Sequence, residues 1–267
     1  MPPPNATTNL VFVTAFIDLG AEHTEKSAAT RLEHFRTLAS SGIDLIVFVS
    51  PSYMGMAEGL QAEYPNILRI EPVDMESLAA VQTIRSFPSL ELPSSLTAHK
   101  DTHGFLELML SKVDFVHAAM PFTNVSHLAW IDFNIAHVFT SVDALHALQQ
   151  LGHRRKLRTP LLALAAIWGK HTKADLASLL STVNWRFAGG FFVGDRRSVA
   201  DWYALCADTL PLFLAQTNTL VWEVNFWAWL EETYPHSFNP YAYTSDHDNS
   251  LVYVPREVDV DELQTVS

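Results

Sequence analysis

The segment LVFVTAF at Leu10–Phe16 is a continuous run of aliphatic, β-branched and aromatic residues. Such a run is typical of a strand buried on both faces, as in a parallel sheet covered by helices. Similar runs follow at residues 43–50 (IDLIVFVS) and 67–73, and residues 25–38 show helical spacing between the first two. This alternation predicts a Rossmann-like α/β fold with a mixed, mainly parallel sheet flanked by helices.

The rest of the chain continues the alternation with longer helices. The further predicted elements are helices at 102–120, 197–214 and 221–233, strands at 127–131 and 186–193, and a short strand within 241–254. Residues 86–100, rich in Pro, Ser and Leu, predict a surface loop that forms a lid or an insertion. No repeat period occurs, so we expect one domain at residues 10–255, after a flexible N-terminus at 1–9 and before an acidic tail at 256–267.

The composition excludes several classes of protein. Hydrophobic residues make up 48% of the 267 residues, too many for a disordered or fibrous chain. With 17 Lys and Arg against 29 Asp and Glu, the net charge of −12 argues against a nucleic-acid-binding surface. The single cysteine, Cys206, cannot form an intramolecular disulfide, and no segment has the pattern of a signal peptide or transmembrane helix. We therefore expect a soluble, cytoplasmic protein.

A polar pair follows the predicted strand at 127–131. Asp132 and Asn134 form an Asp-x-Asn sequence, whose two side chains project to the same side of an extended backbone. Open α/β sheets bind ligands at the carboxyl ends of their strands, and carboxylate and amide oxygens suit Mg²⁺ or Mn²⁺ held jointly with a diphosphate. The pair is a candidate metal site, and a turn or a helix cap is the alternative role.

Several blocks of the sequence resemble, in the same order, the HtrL/YibB-like (WlaTC-type) proteins, a glycosyltransferase-like family. The blocks span about residues 10–230 and comprise VFVTAFIDLG, SGIDLIVFVS, LSKVDFVHAAMPF, HLAWIDFNIAHVF and RFAGGFFVGD. The most specific features are Lys112 upstream of a Trp-Ile-Asp strand end and the AGGFFVG block downstream. The resemblance implies a GT-A fold and hexosyl or pentosyl transfer from a nucleoside-diphosphate donor, with a UDP-sugar favoured, to a hydroxyl of a glycan.

The same resemblance implies where the nucleotide lies. The end of the first strand, at Thr14, Ala15 and Phe16, would contact the base through its backbone. Lys112 and Arg31 would contact the donor phosphates. Without the resemblance, Lys112 is interpreted as a lysine whose stem lies along a helix surface.

The resemblance also implies which residues bind the metal and the donor sugar. Asp132 and Asn134 match the Asp-x-Asp-like site that holds Mn²⁺ or Mg²⁺ and the diphosphate. Because Asn134 is a neutral ligand, metal affinity could be lower, or basic residues could neutralise the diphosphate instead. His247, in a polar cluster that is otherwise typical of a solvated turn, would complete the metal shell. Gly189 and Gly190 would line the donor-sugar or acceptor pocket, with a β-bulge as the competing interpretation.

Three carboxylates are candidates for the catalytic base. Asp74 and Asp195 each follow a predicted strand, and Glu223 begins an apolar, aromatic helix in which a carboxylate needs a partner or a cleft. The sequence does not choose among them.

These residues support one leading function and two alternatives. The leading hypothesis is a glycosyltransferase whose nucleotide-binding part is residues 10–135 and whose acceptor-binding part is residues 136–255. The alternatives are a catalytically silent nucleotide- or sugar-binding module on the same fold and a metal-dependent phosphoesterase that uses Asp132 with Asp246-His247-Asp248.

Overall fold

The computed structural model describes residues 9–20, 27–97, 100–153, 157–170 and 175–259. Most of the predicted N-terminus at 1–9 and most of the predicted acidic tail at 256–267 lie outside these residues. Among the described residues, no helix combines the length and the apolar character needed to cross a membrane.

The described residues form one seven-stranded sheet. The strands are β1 Leu10–Phe16, β2 Leu45–Val49, β3 Ile67–Pro72, β4 His127–Ile131, β5 Leu162–Ala166, β6 Phe191–Asp195 and β7 Tyr241–Thr244. Their order is β3-β2-β1-β4-β6-β5-β7, and β6 is antiparallel to both of its neighbours while all other pairs are parallel. The predicted fold class, a mixed and mainly parallel sheet in a single α/β domain, is confirmed.

Helices cover both faces of this sheet. They are α1 Ala28–Ala39, α2 Met54–Glu63, α3 Ala79–Arg85, α4 His103–Leu110, α5 Lys112–Ala119, α6 Asp143–Gly152, α7 Leu176–Ser181, α8 Arg196–Thr217 and α9 Glu223–Thr233. Alternate residues of β1 enter two separate apolar cores: Val11 and Val13 pack in one, Leu10 and Phe12 in the other. A strand buried on both faces favours apolar residues at every position, which is why all residues of β1 except Thr14 are apolar.

Two predicted elements differ from the structure. The helix predicted at 102–120 is interrupted at Ser111, whose backbone leaves the helical region and whose hydroxyl donates to the Glu107 carbonyl. This break places Lys112 in the first turn of α5. The strand predicted at 186–193 begins only at Phe191, because Arg186 is drawn into a bidentate ion pair with Glu231.

Asp114 is a carboxylate in the core whose effect on the stability of the protein should depend on pH. Its carboxylate is buried on α5 and accepts a hydrogen bond from the Ala80 backbone N–H, and burial raises its pKa from 3.8 to about 6. Because the folded pKa lies above the unfolded one, this group lowers stability as pH rises from about 4 to about 6 and above. We expect Asp114→Asn to stabilise the protein at pH 8 by up to ~3 kcal/mol and to have little effect at pH 4. Denaturant unfolding at the two pH values measures this.

The control for this prediction is Asp208→Asn, because Asp208 is an exposed carboxylate on α8. It should change stability by the same small amount at both pH values. An equal effect of Asp114→Asn at pH 4 and pH 8 would contradict the assignment.

Candidate functional site

A cavity of about 330 Å³ opens at the carboxyl ends of β1 and β4. It contains most of the residues that the sequence assigned to a site, although they come from distant parts of the chain. The predicted residues that line it are Ala15, Phe16, Arg31, Lys112, Asp132, Asn134, Gly189, Gly190, Glu223 and His247. The carboxyl edge of a parallel sheet is where such folds bind ligands, so this cavity is the candidate active site.

The Lys112 ammonium lies at the base of the cavity and is surrounded by three oxygen atoms. Its side chain is only 1% exposed. The Nζ atom is 2.8 Å from Glu223 Oε1, 2.9 Å from the Gly189 carbonyl oxygen and 3.0 Å from Asp132 Oδ1. An ammonium has three N–H donors, so all of them are engaged by the protein itself.

These contacts keep Lys112 charged. Burial by itself would lower the pKa of the ammonium, but the two carboxylates, Asp132 and Glu223, together raise it above its ordinary value. They give Lys112 a role in positioning both carboxylates, and the contact with a donor phosphate stays a prediction. In this arrangement the ammonium orients Asp132 and Glu223.

One carboxylate oxygen of Asp132 is held by two donors. Its Oδ1 atom receives the Lys112 ammonium and also the indole N–H of Trp130, at 2.7 Å. Within the described part of the chain, no group donates to Oδ2. The side chain is 26% exposed and lines the cavity, so Asp132 keeps Oδ2 as an acceptor for a ligand.

Gly189 and Gly190 lie in the segment before β6. Glycine is needed at both positions because neighbouring side chains occupy the space that a Cβ would fill. A Cβ at Gly189 would overlap Glu223 Oε1 and lie 2.9 Å from Glu223 Cδ. A Cβ at Gly190 would lie 2.8 Å from Ile135 Cδ1. The predicted close approach is therefore present, but it is made by Glu223 and Ile135, and the predicted β-bulge is absent because these glycines lie outside the strand.

Gly189→Ala should displace the Glu223 carboxylate from Lys112. We expect a loss of about 1–3 kcal/mol of stability, as is usual for overpacking at a buried position. Gly59→Ala in α2 is the matched control, since a Cβ there would have nothing within 4 Å and alanine favours a helix by roughly 0.5–1 kcal/mol. Thermal unfolding should show opposite shifts for the two variants; a stabilising Gly189→Ala would disprove the close contact.

The end of β1 borders the cavity through its backbone. The ring of Phe16 packs between Tyr53 and Phe133, with centroid distances of 4.5 and 4.4 Å, and the residue is 2% exposed. A ligand at this point would therefore meet the Phe16 backbone and not its ring. Thr14 is fully buried in the central strand and does not line the cavity.

Two of the three predicted bases lie elsewhere. Asp195 pairs with His127, at the opposite end of β4 from Asp132, and its carboxylate caps α8 and accepts from the Leu161 backbone N–H. Burial by itself would raise the Asp195 pKa, but hydrogen bonds, those from Ser198 foremost, hold it below its ordinary value. Asp74 is exposed and caps a short 3₁₀ turn after β3. Neither lines the cavity, and Glu223 does.

The predicted metal ligands meet at the cavity without forming a complete shell. Asp132, Asn134 and His247 all line it, and burial lowers the pKa of the His247 imidazole. Among the described residues, no group of three or more His, Cys, Asp or Glu side chains is arranged to hold a metal ion. Further oxygen ligands would have to come from a bound diphosphate or from water.

Sequence reasoning missed part of the lining. Trp222 forms one wall, and its indole N–H donates to Asp101 Oδ1 at 3.0 Å. Lys100 and Trp185 also line the cavity. Asp101 precedes a predicted helix, a position at which an aspartate is ordinary. No local pattern links it to Trp222, which lies far along the chain.

No protein-family model matches the chain, and no curated protein matches it. Among solved structures, mouse xyloside xylosyltransferase 1 in its apo form is 13% identical, with 88% of this chain and 84% of that chain covered and a TM-score of 0.44. The 4-diphosphocytidyl-2C-methyl-D-erythritol synthase from Anaerococcus prevotii is 9% identical, with 93% and 94% covered and a TM-score of 0.40. At these values neither similarity identifies the activity of this chain, and membership of the HtrL/YibB-like family stays a hypothesis.

Proposed function

We propose that this protein is a glycosyltransferase that uses a nucleoside-diphosphate sugar, with a UDP-sugar favoured, and a glycan hydroxyl as acceptor. The observation that carries the proposal is the cavity at the carboxyl ends of β1 and β4, in which one buried lysine orients two carboxylates. Oriented charges inside a water-poor site are the usual means of stabilising a transition state in group transfer.

The nucleotide base would lie against the end of β1. The ladder between β1 and β4 ends at the Val13–Trp130 pair, and Ala15, Phe16 and Ile17 continue along the cavity beyond it. Backbone groups past the end of a ladder are suited to pair with the edge of a base. In this proposal residues 10–135 supply the nucleotide site and residues 136–255 complete the acceptor side.

The diphosphate would lie toward Arg31 and Lys100, the basic side chains besides Lys112 that line the described part of the cavity. A Mn²⁺ or Mg²⁺ ion would be held by Asp132, through Oδ2, with Asn134 and His247 as further ligands. These residue types fit such an ion only together with diphosphate oxygens, because Asp132 is the one carboxylate among them. When bound, the metal would offset the charge that develops on the leaving diphosphate.

Glu223 is the catalytic base in this proposal if the reaction inverts configuration. The sugar C1–O bond to the diphosphate breaks and its electron pair leaves with the phosphate oxygen. The acceptor oxygen forms the new bond to C1, and its proton passes to the Glu223 carboxylate. Lys112 holds Oε1 of this carboxylate, which leaves Oε2 to accept the proton, and Glu223 lines the cavity.

Thermal unfolding with UDP tests the proposal directly. UDP should raise the Tm in the presence of Mn²⁺, because a ligand that binds only the folded state stabilises it, by about 2.7 kcal/mol at a hundred times its Kd. No shift with UDP or other nucleoside diphosphates at millimolar concentration would reject a donor site. A panel of nucleotide sugars then separates the functions: slow donor hydrolysis supports a transferase, binding alone a silent module, and cleavage of simple phosphate esters a phosphoesterase.

A further inference from the structure

One wall of the cavity is apolar. Phe105 and Met109, one turn apart on α4, line the cavity together with Val183, Trp222 and Val224, and we call these five residues the apolar wall. Phe105, Met109 and Val183 pack against a core but are only partly buried, so part of their apolar surface is left for a ligand to cover. Apolar surface in a concave site favours an apolar ligand, because binding removes both surfaces from water.

Hydrogen bonds hold the segments of the apolar wall together. The indole N–H of Trp222, just before α9, donates to Asp101, just before α4, and so joins the beginnings of these two helices. Asn225 is fully buried in α9, and its Oδ1 accepts from the backbone N–H of Asn184, next to Val183. The wall is therefore built from three distant parts of the chain whose polar groups bond to one another.

The apolar wall adjoins the proposed catalytic base. Trp222 and Val224 are the neighbours of Glu223 in the chain, and all three line the cavity. The Glu223 carboxylate is 2.8 Å from the ammonium of Lys112, which follows Met109 by three residues. A molecule whose hydroxyl reaches Glu223 therefore has the rest of its structure close to apolar side chains.

The donor has no group that matches this wall. Arg31 on α1 and His137 on the 3₁₀ turn Ile135–Val138 line the cavity, and α1 and this turn pack into one of the two cores, whereas α4 and α9 pack into the other. Arg31 and the apolar wall therefore come from opposite faces of the sheet. A nucleotide sugar consists of a polar base, phosphates and hydroxyl-bearing rings, which leaves the apolar wall to the acceptor.

We propose that the apolar wall binds an aryl aglycone, so that the acceptor is a glycoside whose sugar hydroxyl reaches Glu223 while its aromatic group covers the wall. The inference rests on the proposed function and names the acceptor class. An aromatic group fits best because the wall contains two aromatic rings and a thioether, which make favourable contacts with a further ring.

A matched pair of acceptors tests this. Methyl and 2-naphthyl β-D-glucosides carry the same sugar and differ only in the aglycone, and the corresponding galactosides repeat the comparison with a second sugar. Binding is measured by calorimetry with the full chain, saturated with UDP and Mn²⁺. We expect the 2-naphthyl glycoside of at least one sugar to bind about tenfold or more tightly than its methyl counterpart, because it buries more apolar surface.

Met109→Gln identifies the wall as the source of this preference. Glutamine has a similar length and a similar helix propensity, but its amide is polar, so the naphthyl glycoside should bind about threefold to tenfold more weakly. The Kd values of the methyl glycoside and of UDP should stay within about twofold. Met56→Gln is the control, since Met56 is also a partly buried methionine in a helix, α2, and lies outside the cavity; all three Kd values should be unchanged.

The outcomes separate this inference from the function on which it rests. If UDP does not bind, the proposed function fails and the inference fails with it. If UDP binds and neither naphthyl glycoside binds more tightly than its methyl counterpart, only the inference is overturned. A preference that persists unchanged in Met109→Gln, or a Met109→Gln variant that weakens UDP binding as much as naphthyl binding, overturns the assignment of the wall to the aglycone.

Discussion

Lys112→Met is expected to lower the free energy of unfolding by about 3–5 kcal/mol, the usual cost of removing one partner from a buried ion pair. The methionine fills most of the space of the lysine stem, but Asp132 and Glu223 lose the charge they share. For a chain of this size the loss corresponds to a fall in Tm of roughly 6–20 °C. Differential scanning calorimetry measures it.

Two further variants show whether charge is the cause. Lys112→Met combined with Glu223→Gln should recover part of the lost stability, because one of the two unpaired carboxylates is gone. Lys170→Met is the control lysine, since Lys170 is 36% exposed and lies 3.9 Å from Glu231, and it should shift stability by less than about 1 kcal/mol. Equal effects of Lys112→Met and Lys170→Met would contradict the buried ion pairs of Lys112 with Asp132 and Glu223.

Asp132→Ala is expected to reduce turnover on the order of 10²-fold or more in a folded protein, as losses of electrostatic stabilisers in active sites commonly do. The variant removes the only carboxylate among the proposed metal ligands. Asn134→Asp should strengthen the dependence on Mn²⁺ by adding a second charged oxygen. The assay is donor hydrolysis against Mn²⁺ concentration, with the nucleotide sugar that the wild type cleaves fastest.

Asp74→Asn is the control for this experiment. Asp74 lies on an exposed turn outside the cavity, so its replacement should leave turnover within about twofold of the wild type, as expected for a surface change away from the site. If Asp132→Ala keeps the wild-type rate and metal response, the metal assignment is wrong, and basic residues such as Arg31 would have to carry the charge of the leaving group.

Much of the fold could be predicted from local sequence. The run at Leu10–Phe16 is a strand over the same residues in the structure, and β4 at His127–Ile131 also has its predicted bounds. Both strands are buried on both faces, so nearly every residue in them is apolar and the signal is continuous. Prediction failed at Ser111, where the backbone leaves the helical region between α4 and α5, and at Arg186, which forms a buried ion pair before β6 begins.

The candidate site, too, could be predicted only in part from the sequence. Asp132 could be placed at a strand end because the apolar strand before it marks that end, and the carboxyl edge of the sheet is a known ligand site. Glu223 could be recognised as a carboxylate in an apolar helix that required a partner, but no pattern along the chain favoured it over Asp74 or Asp195.

Local hydrophobic patterns were enough to establish the α/β class, the strands at the centre of the sheet and the edge at which polar residues collect, because each of these depends on only a few consecutive residues. The roles of those polar residues became known only from the folded chain. Lys112 meets Gly189 77 positions away and Glu223 111 positions away, and these contacts place its ammonium beside the carboxylates that it orients. Contacts across such separations depend on how helices dock onto the sheet, and no short sequence pattern specifies the three acceptors of one ammonium.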